Sequence, residues 1–108
     1  MTVKELSDAL ELKVFYMEDE DREIEGGYCG DLLSWVMGRC PEGVAWVTIM
    51  SNINVVAVAS LADTACVVLA EGVTLEDAVK ETAQAKGVNV LASPLPAYDI
   101  ACRLHSLL

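Results

Sequence analysis

Val44-Ala45-Trp46-Val47-Thr48-Ile49-Met50 leads directly into Ser51-Asn52-Ile53-Asn54 and a further apolar run that ends near Ala62. Seven residues with one polar break are the pattern of a strand covered on both faces. Ser51 or Asn52 then offers a side-chain oxygen to open a helix. The same unit recurs twice downstream. Residues 65–70 predict a second buried strand, followed by a helix that Thr74 caps and that runs to Lys86. Glu76 and Asp77 fall in its first turn and Gly87 just past its end, a favourable arrangement of charge and cap. Residues 88–92 predict a third strand, and Ser93-Pro94 leads into a last helix over 96–107. Three strand-then-helix units in series imply parallel strands joined by right-handed crossovers, with helices on both faces.

Upstream the pattern is less regular. Thr2 and Glu5 have capping-box spacing, and Val3, Leu6 and Leu10 fall on one side of a helix over 2–10. Residues 12–17 and 24–29 predict two strands, the second carrying Gly26-Gly27, which signals a bulge or a close backbone approach. Asp31 is placed to cap a helix over 32–38 whose Leu32, Leu33, Trp35 and Val36 face the core; 39–43 form a turn. The fold expected is α/β: a single domain over 1–108, with a mostly parallel sheet of about five strands and helices on both faces, the first half adding an antiparallel or edge strand.

The 108 residues suit one domain and are short for two. With 54% hydrophobic residues and only 6% aromatic, the core is to be built from Val, Ala, Leu and Ile. A mean hydropathy of +0.39 leaves apolar residues over for a subunit interface, and a homodimer is expected. A formal charge of -10 repels phosphate backbones and anionic headgroups, which argues against nucleic acid and membrane as partners. The acids crowd residues 18–25, where Arg22 alone relieves them and is expected to fold the loop back through an ion pair. That stretch reads as a solvated loop, with a docking patch for a basic partner or a cation as the alternative. No signal-like segment opens the chain and no apolar run approaches a spanning helix, so a cytoplasmic location is expected.

The residues carry little reactive chemistry. Cys29, Cys40, Cys66 and Cys102 are scattered, without the paired spacing of a zinc site, and are expected to be reduced and structural; Cys66 in a strand and Cys102 on a helix face would act as small hydrophobes. No metal and no cofactor is expected. His105 is the single histidine and has no evident nucleophile partner. Gly26-Gly27-Tyr28-Cys29-Gly30 lacks dinucleotide-loop spacing, and Asp31 sets negative charge where a phosphate would sit. In an open α/β sheet, ligands settle beyond the carboxyl ends of the strands. Thr48, Ser51, Asn52, Asn54 and Ser93 are the candidates to converge there, with Asp31 across the rim. The competing reading is that Ser and Asn only cap helices.

Asp21-Arg22 followed by Gly26-Gly27-Tyr28 and by Asp31-Leu32-Leu33-Ser34-Trp35-Val36-Met37 resembles the DRTGG domain family. So do Trp46-Val47-Thr48-Ile49-Met50 with Asn54-Val55-Val56-Ala57-Val58-Ala59, and Ser93-Pro94-Leu95 with Ala101 and Arg103-Leu104. The likeness covers nearly the whole chain and makes Asp21, Arg22, Gly26 and Gly27 the family motif. The threonine of the family name has no counterpart, since Glu23 and Glu25 stand nearby instead. The resemblance implies an accessory or regulatory domain, often dimeric. Related domains sit beside paired CBS modules, within long phosphotransacetylases and, more distantly, at the N-terminus of HPr kinase/phosphorylase. Some stand-alone relatives lie in gene neighbourhoods of iron-only hydrogenases. A kinase activity does not carry over, because no Gly-x-x-x-x-Gly-Lys-Ser/Thr occurs. The expected function is therefore a non-catalytic regulatory domain binding a small molecule or nucleotide. The alternative is an accessory subunit that docks on a redox or metabolic partner enzyme such as a hydrogenase.

Overall fold

The structure, a computed structural model, describes all residues 1–108. In chain order it contains α1 (Val3–Ala9), β1 (Lys13–Tyr16), β2 (Gly26–Cys29), α2 (Leu33–Arg39), β3 (Val44–Thr48), α3 (Ile53–Ala62), β4 (Cys66–Leu69), α4 (Asp77–Lys86), β5 (Val90–Ala92) and α5 (Ala97–Leu107). The five strands form one sheet in the order β1-β5-β4-β3-β2. β2, β3, β4 and β5 are parallel neighbours, and β1 adds to β5 antiparallel at the edge. The expected fold is the observed one: α/β, mostly parallel, helices on both faces.

Stepping from β2 to β5 always in the same direction, crossovers of one hand place their helices on one face. α2, α3 and α4 accordingly pack Val36, Val56, Val79 and Ala83 against Trp46, Val67, Leu69 and Val90. The alternate strand residues, Ala45, Val47, Cys66, Val68 and Leu91, face α1 and α5 with Val3, Leu6, Ile100 and Leu104. Every residue of β3, β4 and β5 is buried, which is why these strands read as unbroken apolar runs. At β5 the chain changes face: α4 precedes it on one side and α5 follows it on the other.

The capping box forms as its spacing predicts. The Thr2 hydroxyl accepts the Glu5 amide at 3.1 Å, and the Glu5 carboxylate accepts the Thr2 amide at 2.9 Å. These bonds hold the Glu5 carboxyl below its usual range. Gly87 closes α4 in the left-handed region at φ 66°.

Several local expectations give way to the geometry. Asp31 does not cap α2, whose N-cap is Leu32 without a side-chain bond. Leu32 and Trp35 do not enter the core: they are 59% and 54% exposed, and only Val36 of α2 is fully buried. This short helix lies at the sheet margin beside the edge strand, so one stripe finds cover and the rest does not; the Arg39 guanidinium stacks 3.9 Å above the Trp35 ring instead. Thr74 does not cap α4, which begins three residues later after Glu76. Cys66 is buried, and its thiol is pushed up to about 12 by desolvation, whereas Cys102 is exposed.

Candidate functional site

All four parallel strands end on the same side of the sheet, so the loops after Cys29, Thr48, Leu69 and Ala92 share one rim. Two clefts open there. The larger, about 700 Å³, lies between the β3–α3 and β4–α4 connections and is lined by Ser51, Asn52, Ile53, Thr74, Glu76 and Val79 among others. The smaller, about 220 Å³, lies between the β4–α4 and β5–α5 connections and is closed laterally by the start of β1. Glu11, Lys13, Phe15, Thr74, Ser93 and Pro94 belong to its wall. Gly72, Val73 and Thr74 line both, so one loop divides the rim.

The smaller cleft has a topological cause. α4 and α5 leave adjacent strands toward opposite faces of the sheet, and the loops that carry them must part. The β4–α4 loop turns sharply through Glu71 at φ 63° and Gly72 at φ 70°, both left-handed. Its course is fixed by the Glu71 amide donating to the Leu95 carbonyl at 2.9 Å and the Gly72 amide to the Ser93 carbonyl at 3.0 Å. Glu11, at φ 52°, adds a second strained non-glycine residue at the same cleft. Above the Phe15 ring stand two ammonium groups, Lys13 Nζ at 4.9 Å and Lys80 Nζ at 5.6 Å from its centroid. Lys80 also approaches Asp77 at 3.6 Å.

Of the six residues expected at this rim, Ser51 and Asn52 line the larger cleft and Ser93 the smaller. Asn52 accepts the Asn54 amide at 3.0 Å, a capping role, and Asn54 itself is exposed on the first turn of α3. Asp31 and Thr48 find each other: the Thr48 hydroxyl donates to Asp31 Oδ1 at 2.7 Å, and the same oxygen accepts the Ile49 amide at 3.0 Å. Thr48 also accepts the Met50 amide at 3.2 Å. This pair clips the β2–α2 loop to the end of β3 and stands outside both clefts. Ser93 is buried; its oxygen accepts the Leu95 amide at 3.1 Å, which leaves the hydroxyl proton free to donate. The rim is therefore two clefts and a clip rather than one common mouth.

The sequence reading missed Lys13, Phe15, Lys80 and the Gly72–Thr74 wall. Glu71-Gly72 directly after a buried strand was the available signal for a sharp turn there. Nothing local announces that β1 returns beside β5.

The opposite ends of the strands carry the acidic loop, and here the polar groups are tied together. Asn89, 3% exposed, accepts the amides of Glu18 at 2.9 Å and Asp19 at 3.2 Å and donates to the carbonyls of Asp19 and Ala65, each at 3.0 Å. Arg22 pairs not with its acidic neighbours but with Asp63, at 2.9 Å to both the carboxylate and the carbonyl. That bond raises the guanidinium pKa further, so it stays charged. The N-terminal ammonium meets Glu23 at 3.0 Å. Of the motif glycines, Gly27 has a steric reason: a Cβ there would stand 2.8 Å from Leu104 Cδ2 on α5. No group of three or more His, Cys, Asp or Glu is placed to hold a metal ion, and no helix is long and apolar enough to cross a membrane.

No protein-family model matches this chain, and no curated protein matches it. Among solved structures it is similar to the CBS and DRTGG domains of the regulatory region of Clostridium perfringens pyrophosphatase, complexed with the activator diadenosine tetraphosphate. The superposition has a TM-score of 0.72 at 13% identity and covers 95% of this chain and 45% of that one, so the chain spans under half the length of that structure. The likeness is one of fold, and it agrees with the DRTGG-like organisation expected from the residues.

Proposed function

We propose that this chain is a non-catalytic regulatory domain that binds a small phosphate-bearing ligand, a nucleotide by preference, at the carboxyl ends of β4 and β5. The observation that carries the reading is the cleft formed where α4 and α5 diverge, with the Lys13 ammonium, Phe15 and Glu11 in its wall and Lys80 reaching the same ring from α4. Lys13 has no carboxylate within 4 Å, so its charge is available to an anion in the cleft, whereas Lys80 already stands 3.6 Å from Asp77. Ser93 supplies a hydroxyl donor from the buried side. The adjoining cleft, walled by Ile53, Val73 and Val79 with Ser51, Asn52 and Glu76 at hand, offers apolar contact and polar partners for the rest of the molecule. The fold neighbour comes from a regulatory region complexed with a nucleotide activator, which supports this ligand class.

Titration calorimetry and thermal denaturation with ATP, AMP, diadenosine tetraphosphate and inorganic phosphate test the proposal. At least one nucleotide should bind and raise the melting temperature; saturation at a hundred times Kd stabilises by about 2.7 kcal/mol. Lys13→Ala and Ser93→Ala should each weaken that binding. Absence of heat and of any melting shift with all four compounds ends the ligand reading.

A further inference from the structure

The two clefts share a wall but not a chemistry. Gly72, Val73 and Thr74 line both. On one side of that wall stand the Lys13 ammonium and the Glu11 carboxylate. On the other side no cation lines the cleft, and Glu76 is its one charged group. Glu76 is the N-cap residue of α4, yet its side chain accepts from no amide of that helix. No cation of the chain stands within 4 Å of it. Both of its carboxylate oxygens are therefore free to accept.

From this division of charge we infer that Glu76 binds the sugar of the nucleotide, its carboxylate accepting the 2′- and 3′-hydroxyls. The site then takes ribonucleotides and discriminates against 2′-deoxyribonucleotides. This contact rests on the nucleotide reading above and adds the sugar to it.

The order of groups along the ligand fits the order of groups along the rim. A nucleotide runs phosphate, sugar, base. With the phosphate at Lys13, the sugar bonded to it lies against the dividing wall, and the base reaches beyond it toward Ile53 and Val79. Thr74 ends that wall, and Glu76 follows two residues later as the first anionic acceptor on the far side. A carboxylate only accepts, so it repels a phosphate and cannot serve the acceptor nitrogens of a base. Two vicinal hydroxyls are donors matched to its two oxygens, and such charge-assisted bonds are the short, strong kind. The ring nitrogens of the base have other partners. Asn52 Oδ1 is taken by the Asn54 amide, which leaves the Asn52 amino group to donate, and Ser51 stands beside it in the same wall.

Titration calorimetry of ATP and AMP against 2′-deoxyATP and 2′-deoxyAMP, run in EDTA on the wild type and on Glu76→Ala, tests the inference. In the wild type each deoxy compound should bind at least about tenfold more weakly than its ribonucleotide, the loss expected of one hydrogen bond to a charged group. In Glu76→Ala the two should bind alike. Glu76 is exposed and its side chain caps nothing, so the variant folds; Glu76→Gln, which keeps the shape, should show an intermediate preference. Equal affinities in the wild type overturn the sugar contact and leave the nucleotide reading standing. A preference undiminished in Glu76→Ala overturns the role of Glu76, and so does tighter binding of both compounds with their ratio unchanged, the mark of a carboxylate that only repels the ligand. Discrimination that appears only on adding magnesium assigns Glu76 to a metal bridge and contradicts the direct contact. If neither ATP nor AMP binds, the sugar contact falls whatever the other compounds do.

Discussion

The amino and carboxyl ends of the parallel strands solve different problems. At the amino ends a nine-residue stretch, 17–25, has to cross the whole sheet from β1 to β2, and it is held by Asn89, by Arg22 on Asp63 and by the N-terminal ammonium on Glu23. The density of carboxylates there invites a functional reading, yet the backbone beneath them is engaged in holding the crossover down. At the carboxyl ends the loops are shorter, carry fewer charges and part from one another. Two clefts remain, with hydroxyls, the Lys13 ammonium and the Glu11 and Glu76 carboxylates at their walls. The amino end also holds a hollow of about 240 Å³ among Arg22, Glu23, Glu25, Glu42 and Asp63, but its wall is polar and mostly acidic; divergence of the crossovers opens the clefts that have apolar walls.

The largest effect expected from breaking this contrast is at Asn89. Asn89→Ala removes four hydrogen bonds and leaves the Ala65 carbonyl unpaired, which should cost about 3 kcal/mol in urea denaturation while nucleotide affinity of the folded protein is unchanged. A loss of affinity equal to the loss of stability would show that the two ends are not separable. Asp31→Ala is expected to cost less, about 2 kcal/mol, because it strands only the buried Thr48 hydroxyl, the Ile49 amide belonging to a residue already exposed to solvent.

The core between the two ends should show itself in alkali. Below about pH 9 the Cys66 thiol is protonated in both folded and unfolded chains. Above it, the unfolded thiol ionises while the buried one, at about 12, does not, so the unfolded state binds fewer protons and stability falls as pH rises. The difference between wild type and Cys66→Ala should therefore shrink by about 1.4 kcal/mol per pH unit between pH 9 and 12. A pH-independent difference would place Cys66 in contact with water. The smallest effect has the opposite sign. Thr64 Oγ1 is buried without a partner at the amino end, and Thr64→Val should stabilise by up to about 1 kcal/mol, read as a rise in denaturation midpoint.

The parallel half of the fold was legible because strands buried on both faces leave a signal that survives without context, and because Asn52 and Gly87 mark helix ends where their chemistry requires. The site was legible only as a rim. Asp31 shows why: an acidic oxygen one residue ahead of a helix is the same in sequence whether it caps that helix or clips a neighbouring strand, and only the position of Thr48 decides. Thr74 reads as a cap for the same reason, whereas α4 starts at Asp77, Leu75 enters the core, and Val73, Thr74 and Glu76 become cleft wall. Lys13, Phe15 and Lys80 were out of reach because their meeting depends on β1 inserting beside β5 at the far end of the chain. Asn89 did leave a trace, a lone amide inside an apolar strand, and such residues are kept only when their hydrogen bonds are met.

Amide chemical-shift mapping during titration of the wild-type protein with diadenosine tetraphosphate tests the central claim most directly. The account predicts that the perturbed amides cluster in 11–15, 51–53, 72–80 and 92–95, with the acidic loop 17–25 unmoved. Perturbations confined to 17–25, or none at saturating ligand, would contradict it.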